Sequence, residues 1–593
     1  MKKFSVKRLQ LSLILIVIVM LVFLSTNDAI RADDEFILSR VKSRFERFPF
    51  DTNSFISWNT FMGSSNDDGA YAVAVDGIGN IYVAGSSDAI WGSAISPYAG
   101  DYDVFVAKLN ANGVLQWNTF LGSDSSDNCG GIGVDESGNV YVAGTSTKSW
   151  GTPLNPYTGN EEAFLVKLDT NGSLEWNTFL GHETGNDLGT GIAVDTSGYV
   201  YVTGWSCGEW ASPVNGFSGG QDVFVAKLNS SGTLQWNTFM GSAEGDLATA
   251  IDVDTAGNVY VTGWGNATWG IPISDFMGNT DIVVAKLDNN GALQWNTFMG
   301  GADWEEGWGI AVDSNGDIFV SGHGTDDYSG GVWDALIAKF DNSGALDWSN
   351  TMGCSGDDFG WNVAVNNDGY VYVAGMSVGT WGTPVNPFVG MADVYIAKLS
   401  SEGAWQWHTF MGSADFDGCS GIVLDTGGNI FVAGRSDDTW GMPINPHTGY
   451  GNFDAFVAKL EQEPEINVKF RGIRIPDGAG ANLGTRPSSL LMGREFIITI
   501  ENQGAALLNL TGSPLVSLSG PQASQFTISQ QPSSQVASFD ATTFKLRTVR
   551  DSLPGFLPIG WTYPVSITVN IPNDDADENP YDFTINFKLE KDT

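Results

Sequence analysis

The chain has 593 residues, 68 acidic and 28 basic side chains, and a formal net charge of −40. Its hydrophobic share of 42% and aromatic share of 12% supply a packed core, so the acidity is not that of a disordered chain. The charge excludes nucleic acid and other polyanionic partners, which require cation-rich faces.

The charge is unevenly spread. Residues 1–50 carry +4, residues 51–460 carry −39 and residues 461–593 carry −5. Three regions follow from this division. In the first, Lys2, Lys3, Lys7 and Arg8 precede an unbroken apolar run from Leu13 to Leu24. This reads as a secretory signal over 1–32, with Ala29 and Ala32 as candidate cleavage residues. Left uncleaved, it is a signal anchor and the one expected membrane contact. The expected location is secreted or cell-surface. Residues 33–54 are a mixed-charge lead-in.

Residues 55–460 are repetitive. Trp58, Trp117, Trp176, Trp236, Trp295, Trp348 and Trp407 recur at near-constant spacing, mostly within L-Q-W-N-T-F-[ML]-G. Each copy is followed by an acidic loop, G-I-A-V-D-x-x-G-N-V-Y-V-x-G, a longer loop and D-V-F-V-A-K-L. Four short runs per unit are rich in strand-forming residues. The D-x-x-G and N-x-x-G links are tight-turn signals: the side chain bonds the following backbone and Gly supplies positive φ. Four antiparallel strands per unit make a propeller blade. Seven strands of the W-N-T-F type exist, but the first precedes all the other strands and none follows the last A-K-L. The N-terminal strand is therefore expected to complete the last of seven blades. Stretches such as Gly191–Gly204 and Asp222–Leu228 resemble the SBBP beta-propeller repeat family over about residues 55–460. The resemblance implies an exported or surface protein of undefined role and supplies no catalytic residues.

Strand alternation places both hairpins on one face, and the acidic and long loops on the other. The acidic loops put one carboxylate per blade at the start of the innermost strand: Asp68, Asp127, Asp187, Asp246, Glu305, Asp358 and Asp417. These seven are a candidate metal site, calcium being the ion that takes 6–8 oxygen ligands. The competing reading is that each caps its own loop, and its recurrence in every blade favours that reading. The long loops carry W-G-x-P variants from Trp91, Trp150, Trp210, Trp269, Trp381 and Trp440. These Trp either stack on sugar rings or anchor their loops by burial. The fifth repeat replaces this motif with a short loop, His323–Trp333. A notch there, with Trp304, Glu305, Glu306, Trp308, His323 and Trp333, is the candidate ligand site. The Lys of the A-K-L strands, such as Lys108 and Lys227, read as structural, near the hairpin carboxylates.

Cys129, Cys207, Cys354 and Cys419 all fall on the loop-bearing face. In an exported chain, Cys129–Cys207 and Cys354–Cys419 are candidate disulfides. No catalytic set emerges. Arg435 is the one arginine of the repeat region, whereas a sialidase-like site needs several. The four histidines, His182, His323, His408 and His447, are scattered over different repeats.

Residues 461–464 form a linker, and the repeat ends there. Residues 465–593 contain seven alternating runs, which suit an Ig-like β-sandwich. Phe496–Gly504 and Asn573–Phe587 resemble choice-of-anchor D and related Ig-like domains of surface proteins. A longer loop is expected over 549–562, and Asp574, Asp575, Asp577 and Glu578 are a weaker candidate for calcium. The fold class is thus all-β: a seven-bladed propeller followed by an Ig-like sandwich. The leading functional expectation is a non-enzymatic exported binding or scaffold protein that holds a glycan or surface protein on its loop-bearing face. A polysaccharide hydrolase or lyase, and a structural envelope component, are the alternatives.

Overall fold

The computed structural model describes residues 56–325, 332–449 and 451–460, and separate stretches between 466 and 590. The signal segment, the lead-in and the 461–464 linker lie outside the described residues.

Seven four-stranded sheets follow one another in order. The first consists of Asp68–Val75, Ile81–Ser87, Asp103–Leu109 and Leu115–Leu121. Each pairs antiparallel with the next. The innermost strands of consecutive sheets touch, and that of the seventh touches that of the first, so the sheets are blades of a closed ring. The seventh blade takes its outer strand, Ile56–Met62, from the start of the propeller, paired with Asp454–Leu460. This is the expected closure.

The turns form as their composition dictates. Asp76 Oδ1 accepts from the backbone N–H of Ile78 at 3.1 Å and of Asn80 at 2.8 Å, while Gly79 adopts φ +84°. Asn110 plays the same part in the second hairpin, with Gly113 at φ +73°. The second strand of the first blade is buried along its whole length. The core lies between blades: Ile81, Val83 and Phe105 of blade one pack with Phe431 and Val457 of blade seven. Each such buried side chain stabilises the ring by about 1.5–3 kcal/mol.

The long loops are anchored inward. Trp91, Trp150, Trp210, Trp269 and Trp440 are at most 8% exposed, and Trp381 is half-buried. Trp91 meets Phe105 and Phe120 edge-on, at 5.2 and 5.9 Å between ring centroids. The Asn of W-N-T-F holds its loop from below, Asn118 donating to Trp91 O and Asn177 to Trp150 O, both at 2.9 Å, and in blade six His408 takes its place at 2.8 Å from Trp381 O. Blade five lacks the loop and carries Ser349 at the Asn position, while Asn350, one residue further, donates to Gly403 O at 3.0 Å. Sugar stacking on these loop Trp therefore loses its basis. Two of the A-K-L lysines meet carboxylates as expected, Lys167 with Glu175 at 2.9 Å and Lys339 with Asp317 at 2.8 Å, and others lie over tyrosine rings. Lys108 Nζ is 4.9 Å from the Tyr82 ring centre and Lys398 Nζ 4.2 Å from that of Tyr370.

Beyond the propeller, the described strands form a five-stranded sheet, a four-stranded sheet and a two-stranded pair. The strands expected near 466, 495, 507, 525, 542, 563 and 581 are all present. Gly480–Pro487, which pairs parallel to Tyr581–Glu590, was not anticipated. Residues 549–561 and the acidic stretch 574–578 lie outside the described residues.

Candidate functional site

The innermost strands line a central cavity of about 1010 Å³, to which all seven blades contribute. Each of these strands carries a β-bulge at the same place. In blade one the register skips between Ala70 and Ala72, and in blade five between Gly307 and Gly309. A bulge leaves one residue unpaired and re-aims it. The bulged residues are Tyr71, Gly130, Thr190, Thr249, Trp308, Trp361 and Ser420, and all line the cavity.

The glycine of the second strand exists because of this bulge. A Cβ on Gly204 would lie 1.7 Å from Leu188 O, and one on Gly85 would lie 1.9 Å from Gly69 O. The residue after that glycine also reaches the cavity in several blades, as Thr145, Trp205, Trp264, Met376 and Arg435. These positions are where the repeats differ most. The cavity is consequently asymmetric.

One wall is aromatic. Trp264 and Trp308 lie 5.5 Å apart between centroids, Trp308 and Trp361 4.7 Å, and Trp361 stacks on Phe359 at 5.3 Å. Behind this wall, buried His323 stacks on Trp308 and meets Trp333 edge-on at 4.9 Å. Glu306 accepts from Trp308 Nε1 at 3.3 Å, and its carboxylate lies 3.4 Å from His323 Nε2. On other blades the bulge residues serve as latches: Thr190 donates to Ala248 O and Thr249 to Gly307 O, each at 2.8 Å.

The structure thus brings together four of the six residues expected at blade five: Glu306, Trp308, His323 and Trp333. Trp304 stands apart, half exposed on the acidic loop. Glu305 faces away into the blade junction and accepts from Gly301 N at 2.8 Å. Part of the expected notch, residues 326–331, lies outside the described residues. Sequence reasoning missed Trp205, Trp264, Trp361 and Arg435. Their signal was repeat-to-repeat variation at a fixed position between constant neighbours.

The seven acidic-loop carboxylates are buried at the heads of their strands. Asp127 Oδ2 accepts from Ser123 N at 2.7 Å and from Ser123 Oγ at 2.9 Å, and Asp417 is held likewise by Ser413. They cap their own loops. Among the described residues, no three His, Cys, Asp or Glu side chains come together as metal ligands. Each has instead a second carboxylate from the preceding blade on the far side of a shared glycine. Asp103 and Asp127 flank Gly122, Asp222 and Asp246 flank Gly241, and Asp393 and Asp417 flank Gly412. Burial, reinforced by the neighbouring carboxylate, raises Asp222 and Asp417 to about 7, while burial raises Asp103 and Asp393 to about 6.

All four cysteines are free thiols, so neither candidate disulfide forms. They are spread over separate blades and pack locally or against the neighbouring blade. Cys207 lies against Gly185, Cys354 against Gly379, and Cys419 donates to Gly421 O on its own strand. Cys129 lines the cavity.

Residues 116–149 and 175–208 match the SBBP family model, a beta-propeller repeat. A curated relative, the regulatory protein FlaEY of Caulobacter vibrioides, is 30% identical over 146 residues. That match covers 22% of this chain and spans 15% of the relative's length. Among solved structures, the Neurospora crassa Pan2 WD40 domain aligns with a TM-score of 0.37 at 9% identity, covering 67% of this chain and 97% of that one. Polysaccharide lyase Uly1 aligns with a TM-score of 0.37 at 11% identity, covering 68% and 92%.

Proposed function

We propose that the propeller is a non-enzymatic carbohydrate-binding module of an exported protein, with its site at the channel mouth. The observation that carries this reading is the contiguous Trp264–Trp308–Trp361 wall along one side of the cavity. Flat, amphipathic indole faces suit the apolar faces of pyranose rings. The propeller holds Trp308 and Trp361 at strand bulges and Trp264 on a second strand of a closed ring, so little order has to be gained on binding. The basic and apolar N-terminus is the support for export, and the strands after residue 466 serve, in this reading, as an Ig-like spacer.

The hydrolase reading has less support. Glycoside hydrolysis in its usual form takes two carboxylates that reach the substrate. Among the described residues lining the cavity, Asp252 is the one carboxylate. Its oxygens accept from Val253 N and Val312 N, both at 2.8 Å. The carboxylate pairs at the blade junctions are sealed from solvent.

A glycan array followed by calorimetry tests the proposal. Trp308→Ala and Trp361→Ala should each weaken binding about tenfold or more, as expected for central aromatic contacts, with the thermal midpoint little changed. An array in which no glycan binds the intact protein would overturn it.

A further inference from the structure

Arg435 holds, in blade seven, the strand position that carries Trp205 in blade three and Trp264 in blade four. It is the one arginine in a region of net charge −39. Free cations in such a field are drawn to carboxylates, yet Arg435 forms no ion pair among the described residues. Its guanidinium carbon instead lies 4.7 Å from the Phe453 ring centre and 5.7 Å from that of Phe416. Phe416 is itself held in place, its N–H donating to Asp437 at 2.9 Å. Stacking uses the face of the guanidinium and leaves its in-plane N–H edges for a ligand.

The other propeller cations have different surroundings. Lys148 pairs with Asp124 on the surface, and the A-K-L lysines belong to the third strands. Arg435 alone is both exposed and part of the cavity lining. In a closed ring of seven, blade seven stands across the channel from blades three and four. A ligand at the mouth therefore meets Trp205 and Trp264 opposite a planar, fork-shaped donor, with Trp308 and Trp361 on blades five and six along the wall between Trp264 and Arg435.

We propose that Arg435 is an anion subsite, and that the ligand is an oligosaccharide carrying a carboxylate, that is, a uronate-containing glycan. This rests on the carbohydrate-binding reading above. A planar carboxylate matches the two-pronged guanidinium edge. The surrounding negative field admits one carboxylate beside one arginine and rejects densely charged chains.

The test is calorimetry on the intact protein with uronate oligosaccharides and with the same oligosaccharides after carboxyl reduction. The wild type should bind the uronate form about tenfold tighter. Arg435→Ala and Arg435→Gln should abolish that preference, with the uronate form losing about tenfold in affinity and the reduced form losing less. Trp308→Ala should weaken both forms. Equal wild-type affinity for the two forms, or a preference that survives in both Arg435 variants, overturns the anion subsite but leaves the stacking reading intact. If neither form binds, both fall.

Discussion

A single bulged residue per blade decides what the channel mouth presents. The bulge needs a partner strand without a side chain at the point of closest approach, because Leu188 O and its six counterparts lie against the second-strand glycine. Gly204→Ala would place a methyl 1.7 Å from that oxygen, and the obstacle is rigid backbone rather than a movable side chain. The expected cost is about 3 kcal/mol or more, read as a drop in the unfolding midpoint. A midpoint within experimental error of wild type would show that the bulge can relax. The glycine was visible in the repeat, but its cause was not. A period-two reading of D-F-G-W-N-V-A-V, residues 358–365, has no place for an unpaired residue, so Trp361 looked like any other strand residue. The loop Trp misled in the opposite sense. Trp91 is buried by Phe105 and Phe120, which stand 14 and 29 positions further along the chain. Only the folded blade reveals that enclosure.

Between blades, most of the legible pattern concerned backbone. Hairpins, strand number and the order of strands follow from Asp, Asn and Gly at fixed places, because turn chemistry is local. The meeting of two carboxylates across a glycine is not local, since each pair joins different blades. The pairs give the junctions a pH dependence. Asp68 and Asp187 are raised to about 6 by burial, and Asp417 to about 7 by burial together with Asp393. The hydrogen bonds from Ser436 and Ser413 to Asp417 oppose the rise, and burial outweighs them. Raised values mean that the folded chain holds protons which the unfolded chain releases near pH 4. The stabilisation is complete below that pH and is lost as pH rises through about 6 to 7. Lys398, lowered to about 7 by burial, acts in the other direction only above that window. The thermal midpoint should therefore fall by several degrees between pH 4.5 and pH 7, at about 2 °C per kcal/mol. Asp417→Asn should make the decline shallower by on the order of 1 kcal/mol. A midpoint that rises across this range would show that the junction acids are ionised in the folded protein.

The whole ring depends on one strand that comes from the far end of the propeller sequence. Counting strands was enough to see this, because a copy of W-N-T-F stood before the first blade and none stood after the last. What counting could not show is how much that strand carries. Asn59 donates to Trp440 O at 2.9 Å and its own carbonyl accepts from Ile444 N at 2.8 Å, so it fixes the last long loop from both sides. Phe61 is fully enclosed and meets Trp440 edge-on at 5.8 Å. Its N–H donates to Asn445 O at 3.0 Å. Remove residues 1–62 and blade seven keeps three strands, with the whole length of Asp454–Leu460 left as an open edge. Unpaired edges recruit other chains. The loss also reaches the proposed site, because Arg435 and Phe453 sit on the blade that would be left incomplete. The truncated chain should therefore melt on the order of 10 °C lower. It should elute as dimers and larger species in size-exclusion chromatography, and lose glycan affinity although every lining residue is retained. A synthetic peptide of residues 55–63, added in trans, should pair with the open edge and restore both the monomer and the melting point. A truncated chain that remains monomeric at the wild-type midpoint would mean that six complete blades and a three-stranded seventh hold the ring without the closing strand.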